Sequence, residues 1–437
     1  MIFPSESAIH QSYRIRVTSK GGMSMYTKLP EIAESIGHRS AELIELLRDL
    51  VKIPSPSGSE GKVADFVESK MKGYGFDEVY RDRAGNVISI LKGSASTRHK
   101  DGLLFNGHID TVPPGNMHDP FSANVADGSM FGVEGQVVYG RGSSDMKGGV
   151  AAMLLGCSAL KEMERPPTHD VILTASVLED AAPGHLGIRH MFEDGRLSPR
   201  YAVICEATNL DVSLGNRGGA MLELVVNGRS CHASVPDNGI NALYSFAKLV
   251  PKIRELSREF PEHPVLGKPT LAITDLKVEP GYQNVVPGRC IATIDTRPTP
   301  NFSGADILRR VKTAIKEMSS RDGEIDASVD FAKIRKTCYT GLVVEVQAVE
   351  NSFFTDPKNE MVTVTKKVIS EVICREPSLM HWRFGTDGGY LDSLGITTIG
   401  IGPGEERFAH TENEHVRVED VVKAAQIYAG LALQLCW

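Results

Sequence analysis

The sequence predicts an α/β architecture: a larger unit on a mainly parallel mixed sheet, interrupted by a smaller inserted α+β unit of ferredoxin-like order. Three observations lead there. Short apolar runs such as 102–107 (GLLFNG), 170–178 (DVILTASVL) and 201–205 (YAVIC) alternate with helical stretches, the rhythm of a parallel sheet with crossover helices. Past about residue 214 the order becomes β-α-β-β-α-β, that of a split βαβ unit. After about residue 340, helix and strand alternate again.

Taken in order, residues 1–28 read as an N-terminal extension, because they lack the apolar core of a secretory leader. Apolar residues at helical spacing predict one helix over 29–51. A strand follows at 102–107, a helix opened by a glycine pair at 148–163, and buried strands at 170–178 and 201–205. The inserted unit then reads as strand 221–226, helix 239–260, strands 270–278 and 289–296, helix 302–320 and strand 325–333. Helix 360–374, strand 395–402 and helix 418–435 close the chain. The expected division is 29–213 with 341–437 for the larger unit and 214–340 for the insertion.

Composition excludes several function classes. The 437 residues are 41% hydrophobic and 24% charged, ordinary values for a globular protein. A net charge of −7 with no basic run gives nucleic acid nothing to bind. No apolar stretch approaches the roughly 18 residues of a membrane span. Seven scattered cysteines without a CxxC fit reduced thiols packed in a core, and a cytoplasmic protein.

The chemistry-bearing residues stand where the strands of the larger unit end. His108 and Asp110 follow GLLFNG; two apart on an extended chain, they share a face. A ligating histidine usually donates its second N–H to a carboxylate, so His108 reads as a ligand and Asp110 as its holder. Taken alone, this HxD reads as a strand-end histidine and a turn aspartate. The company it keeps decides otherwise. Asp145 lies in a glycine-dense entry to a helix, Glu179 and Asp180 end DVILTASVL, Glu206 ends YAVIC, and His410 follows GITTIGIGPG. Ligands of open α/β sheets bind at the carboxyl ends of strands. Two imidazoles with carboxylates suit a pair of zinc ions, with cobalt or manganese acceptable, and the carboxylate left free suits a general base. A phosphate loop is excluded because GxxxxGK[ST] is absent, and a serine nucleophile because GxSxG is absent.

The motifs GHIDTVPPG, YGRGSSDMKGG, VLED, CEATN, NVVPGRCIATIDTRP, GTDGG and GPG…AHTENEHV occur in that order. They resemble the co-catalytic zinc metallopeptidase and deacylase family of acetylornithine deacetylase, succinyl-diaminopimelate desuccinylase, aminoacylase and glutamate carboxypeptidase. The resemblance runs from about residue 40 to the C-terminus. It implies that Asp145 bridges two zinc ions and precedes a cis peptide, that His108 and Glu206 complete one metal site, and that Asp180 and His410 complete the other. Glu179 is then the general base. The insertion is implied to be a lid and dimerisation domain, His232 reaching the partner subunit's site to polarise the scissile carbonyl. Arg217, Asn284 and Arg297 match residues that bind the substrate carboxylate, with Gly385 and Thr386 nearby. Without the resemblance, those residues read as ordinary surface, turn or structural residues. The chain departs from the family in having Glu179-Asp180 where Glu-Glu is usual and EATN where EPT is common.

The expected function is hydrolysis of the amide in N-acyl amino acids by a homodimer. A dipeptidase or carboxypeptidase with the same two-metal site is the nearest alternative. An inactive metal-binding scaffold is the alternative of another class.

Overall fold

The computed structural model describes residues 28–95, 101–181, 183–193 and 195–437. The expected extension over 1–28 lies outside the described residues except for Lys28.

The larger unit is built on a nine-stranded mixed sheet. In spatial order its strands are Glu78–Arg81, Val87–Leu91, Val171–Ser176, Leu103–His108, Tyr201–Ile204, Thr397–Gly400, Val212–Asn216 and Phe353–Phe354, with Leu379–Trp382 also pairing with Val212–Asn216. The strands from Val171–Ser176 to Thr397–Gly400 run parallel at the centre, and antiparallel pairings flank them. Both faces are covered, so the central strands are apolar on both sides rather than alternating with polar residues. Leu103 and Phe105 point into a core shared with helices Leu29–His38, Ser40–Lys52, Gly148–Ala159 and Val418–Cys436. Leu104, Ile172, Ala202 and Ile204 point the other way, against Trp382, Leu391 and Ile396.

Helix Gly148–Ala159 is buried along its whole length. It packs on Val418–Cys436 so closely that a Cβ on Gly156 would lie 2.4 Å from the Ala425 carbonyl oxygen. At its other end, a Cβ on Gly149 would lie 2.1 Å from the Cys205 carbonyl oxygen. These two glycines let the helix sit directly beneath the strand ends.

The smaller unit has strand order Thr270–Glu279, Arg289–Arg297, Gly219–Asn227, Asp326–Phe331, all antiparallel. This is the ferredoxin-like arrangement, with helices Ala242–Glu259 and Gly304–Arg321 on one face and a separate core from Leu222 to Val329. Ser303 and Asp306 form a reciprocal capping box that starts the second helix.

Several boundaries differ from expectation. The predicted helix 29–51 is two helices that meet at Arg39, where ψ turns to 12°. Gly37 weakens the last turn of the first, and the bend lets both apolar faces reach the core. The predicted strand 325–333 ends at Phe331, and Lys333–Thr337 instead pairs with Val343–Gln347 in a two-stranded ribbon. The boundary expected after 213 cuts strand Val212–Asn216, and that after 340 falls in the turn of the ribbon, whose Cys338 and Val344 are buried in the larger core. A three-stranded sheet of Val125–Asp127, Gln136–Tyr139 and His415–Arg417 had no sequence signal. All seven cysteines are free, but only five are buried; Cys231 is half-buried and Cys374 exposed.

Substituting Gly156→Ala drives a methyl group into the Ala425 backbone, and overpacking of this kind typically costs about 1–3 kcal/mol. Urea unfolding is expected to show that loss, and an unchanged midpoint would refute the close approach.

Candidate metal centre

His108 is the last residue of Leu103–His108; Glu179 and Asp180 follow Val171–Ser176, and Glu206 follows Tyr201–Ile204. Because these strands are parallel neighbours, all three segments emerge at one edge. His410 comes from the loop after Thr397–Gly400, with φ of 63°. Asp145 lies in the irregular entry to helix Gly148–Ala159, and its peptide bond to Met146 is cis, as the resemblance implied.

These side chains converge. His108 Nε2 lies 3.0 Å from Asp145 Oδ1 and 3.0 Å from Glu206 Oε1. His410 Nε2 lies 3.0 Å from Asp145 Oδ2 and 3.2 Å from Asp180 Oδ1. One carboxylate, Asp145, therefore faces both imidazoles with different oxygens. Potential ligand atoms of His108, Asp145 and Glu206 all lie within 4.8 Å of one another, as do those of Asp145, Asp180 and His410, and those of His108, Glu179 and Asp180.

The electrostatics are those of an acid-rich cluster away from water. Burial pushes Glu206 up to about 7 and holds Glu179 well above the usual carboxylate range. Hydrogen bonds to Asp145 and Asp180 raise His410 to about 10. Burial opposes a charge on His108, yet the Glu206 carboxylate and the bonds to Asp145 and Glu206 raise it well above its usual value. Asp145, despite its burial, is held below the usual carboxylate range by the two imidazoles. Protons on imidazole here balance charges that a divalent cation would balance better. Asp180 Oδ2 is buried with no hydrogen-bond partner among the described residues, which is costly unless something else satisfies it. This N/O donor set fits a pair of zinc-like cations.

Surrounding groups position these atoms. His108 Nδ1 meets the backbone carbonyl of Asp110 at 2.9 Å, while the Asp110 carboxylate stays 3.7 Å away. The expected carboxylate clamp is thus a carbonyl clamp. The Asp110 carboxylate instead accepts the backbone N–H groups of Glu179 at 3.1 Å and Asp180 at 3.0 Å, and the Ser57 hydroxyl at 2.6 Å. Sequence reasoning passed over Glu414, which accepts the N–H groups of Ser144 at 3.1 Å and Asp145 at 3.0 Å and pairs with Arg141. It also passed over Asp387, which accepts from Asn106 and Ser176 beneath the cluster. Both lie inside quoted motifs, AHTENEHV and GTDGG, so the motifs carried a signal but the spacing gave no role.

Among the described residues, the remaining expected residues make no hydrogen bond or ion pair to the cluster. Arg217 donates to the carbonyls of Lys268 and Arg297, while its Nε has no partner among the described residues. Arg297 is gripped by Asp295 through bonds of 2.9 and 3.1 Å. Thr386 is buried and donates to Asn216. At Gly385 a Cβ would lie 1.9 Å from Glu350 Oε2, so glycine is required there. His232 and Asn284 are exposed on the smaller unit; the His232 ring bonds Ser234, and the Asn284 carbonyl accepts from Ala233.

The profile of peptidase family M20/M25/M40 matches residues 104–434. The uncharacterized protein YgeY of Escherichia coli is 28% identical over 92% of this chain and 96% of its own length. Succinyl-diaminopimelate desuccinylase of Roseobacter denitrificans is 26% identical over 89% of this chain and 97% of its own. Among solved structures, aminopeptidase PepT of Bacillus cereus superposes with a TM-score of 0.66 at 21% identity, covering 91% of this chain and 98% of that one.

Because His410 holds its proton up to about pH 10 in the metal-free protein, a cation binding below that pH displaces it. Adding zinc to metal-free protein at pH 7 is expected to release protons, read with an indicator dye in weak buffer. Zinc affinity is expected to rise with pH. Uptake without proton release would contradict these assignments.

Proposed function

The chain belongs to peptidase family M20/M25/M40, and from that premise we propose that it hydrolyses the amide bond of N-acyl amino acids. As a metallohydrolase of peptidase or deacylase type it needs a site that activates water. The observation that carries the reading is Asp145 facing both His108 and His410, with Glu179 beside Asp180.

In this reading His108, Asp145 and Glu206 would hold one zinc ion and Asp145, Asp180 and His410 a second, with cobalt or manganese as acceptable substitutes. Bound divalent cations supply Lewis acidity, bringing the pKa of water toward about 7 and polarising the carbonyl. Glu179 takes the proton of the attacking water on a carboxylate oxygen and later delivers it to the nitrogen of the leaving amine. Its burial, which raises its pKa, suits a group that must first take a proton and then give it up.

Arg217 is the best-supported anchor for the substrate carboxylate, because its Nε lacks a partner among the described residues. Arg297, already held by Asp295, is the weaker one. Gly385 and Thr386 form the nearby loop. The exposed positions of His232 and Asn284 support a role across a homodimer, the inserted unit acting as lid and dimerisation surface. All seven cysteines are free, which supports a reducing, cytoplasmic setting. No helix among the described residues is long and apolar enough to cross a membrane.

One observation favours a peptidase as the second reading. Glu350 lies against Gly385 with its burial raising its pKa, and no hydrogen bond or ion pair to its carboxylate occurs among the described residues. An amine on a short peptide would satisfy it.

A panel of acetyl-, succinyl- and formyl-amino acids against dipeptides, with zinc or cobalt added, separates the readings. Turnover of the acyl substrates is expected; turnover of dipeptides alone would overturn the deacylase assignment. Glu179→Ala is expected to lower kcat by about 10²-fold or more, with metal content as in the unaltered protein. Wild type that binds less than one metal per chain and hydrolyses nothing on the panel would instead be a scaffold.

A further inference from the structure

The turn that carries Glu179 and Asp180 is held in an unusual way. Four successive backbone N–H groups leave strand Val171–Ser176 and each meets a side-chain acceptor. Val177 N–H donates to Asn86 Oδ1 at 2.9 Å, Leu178 N–H to Glu60 Oε1 at 3.1 Å, Glu179 N–H to Asp110 Oδ1 at 3.1 Å and Asp180 N–H to Asp110 Oδ2 at 3.0 Å. Leu178 adopts φ of 58°, so the segment can continue neither as strand nor as helix, and its N–H groups need other partners.

The acceptors are themselves fixed. Glu60, Asn86 and Asp110 are completely buried. Asn86 Nδ2 donates to Asp82 Oδ2 at 2.6 Å and to the Gly187 carbonyl at 2.9 Å, which settles the orientation of its amide. Glu60 Oε1 also accepts the Gly58 N–H at 2.8 Å. Glu60 stands at the N-cap of helix Gly61–Gly73, but its side chain makes no capping bond. Its carboxylate therefore serves the turn and not its own helix. Glu60 Oε2 is buried and has no hydrogen-bond partner among the described residues.

We propose that Glu60 and Asn86 are positioning residues that fix the Glu179–Asp180 turn through its backbone, with Ser57 steadying Asp110. The proposal rests on the reading of Glu179 as the base. A carboxylate that must meet water at one point gains from a turn that cannot rotate, since a displacement of about 1 Å can cost about 10²-fold in rate.

The test measures kcat, KM, metal content and thermal midpoint on an N-acyl amino acid that the wild type hydrolyses. Glu60→Ala is expected to lower kcat about tenfold or more at unchanged KM and metal content. Glu60→Gln keeps an oxygen acceptor for both N–H groups and is expected to restore kcat to within about threefold of wild type. If Glu60→Ala does not fold, Ser57→Ala serves in its place, with a smaller fall in kcat at unchanged KM. Wild-type kcat in Glu60→Ala, or a loss that follows metal content or folded fraction and is not rescued by glutamine, would overturn the proposal. Full activity in Glu179→Ala would instead overturn the assignment of the base.

Discussion

The Asp145 carboxylate organises the whole site, because its two oxygens face two different imidazoles at 3.0 Å. That geometry requires the side chain to arrive from a direction no regular element supplies. The irregular stretch Ser143–Lys147 provides it, and Glu414 holds the N–H groups of Ser144 and Asp145 in place. Glu414 is in turn paired with Arg141 in the buried interior. A pair of ions held by Asp145 would inherit its spacing from the backbone rather than from flexible side chains.

The other candidate ligands take their places from the sheet. Parallel neighbours end at one edge, so residues that follow different strands are brought together without long loops. Helix Gly148–Ala159 can lie below them only because Gly149 and Gly156 admit backbone contact. Like charges collected in such a place repel, and the imidazole protons and buried N–H groups offset that repulsion. Carboxylates recur as anchors of backbone as well as candidate ligands: Asp110 and Glu60 on the Glu179 turn, Glu414 on the Asp145 turn.

The smaller unit joins the larger through strands that leave after Asn216 and return before Phe353. Arg217, Glu350 and Gly385 all lie at this junction, and a Cβ on Gly219 would lie 3.4 Å from Glu350 Oε2 and 3.7 Å from Arg297 Nη1. Substrate recognition built at such a junction would respond to how the two units close, a device common in enzymes that must exclude water.

By itself, the sequence determined the α/β class and the ferredoxin-like order of the insertion, and it singled out His108, Asp145, Glu179, Asp180, Glu206 and His410 as candidates. Most of these were legible because an apolar run of strand length ends immediately before them, Asp145 because a glycine-rich motif encloses it, and His410 because it lies in the loop that follows such a run. What only the tertiary structure decided is how those residues are held. The carbonyl rather than the carboxylate of Asp110 meets His108, and Glu60, Asn86 and Glu414 act on backbone far away in sequence. Such bonds depend on where distant segments come to rest, and a buried glutamate that accepts from a remote N–H has no periodicity or local spacing to betray it. The bend at Arg39 and the detached ribbon from Lys333 were hidden for the same reason: both are settled by which core a segment can reach.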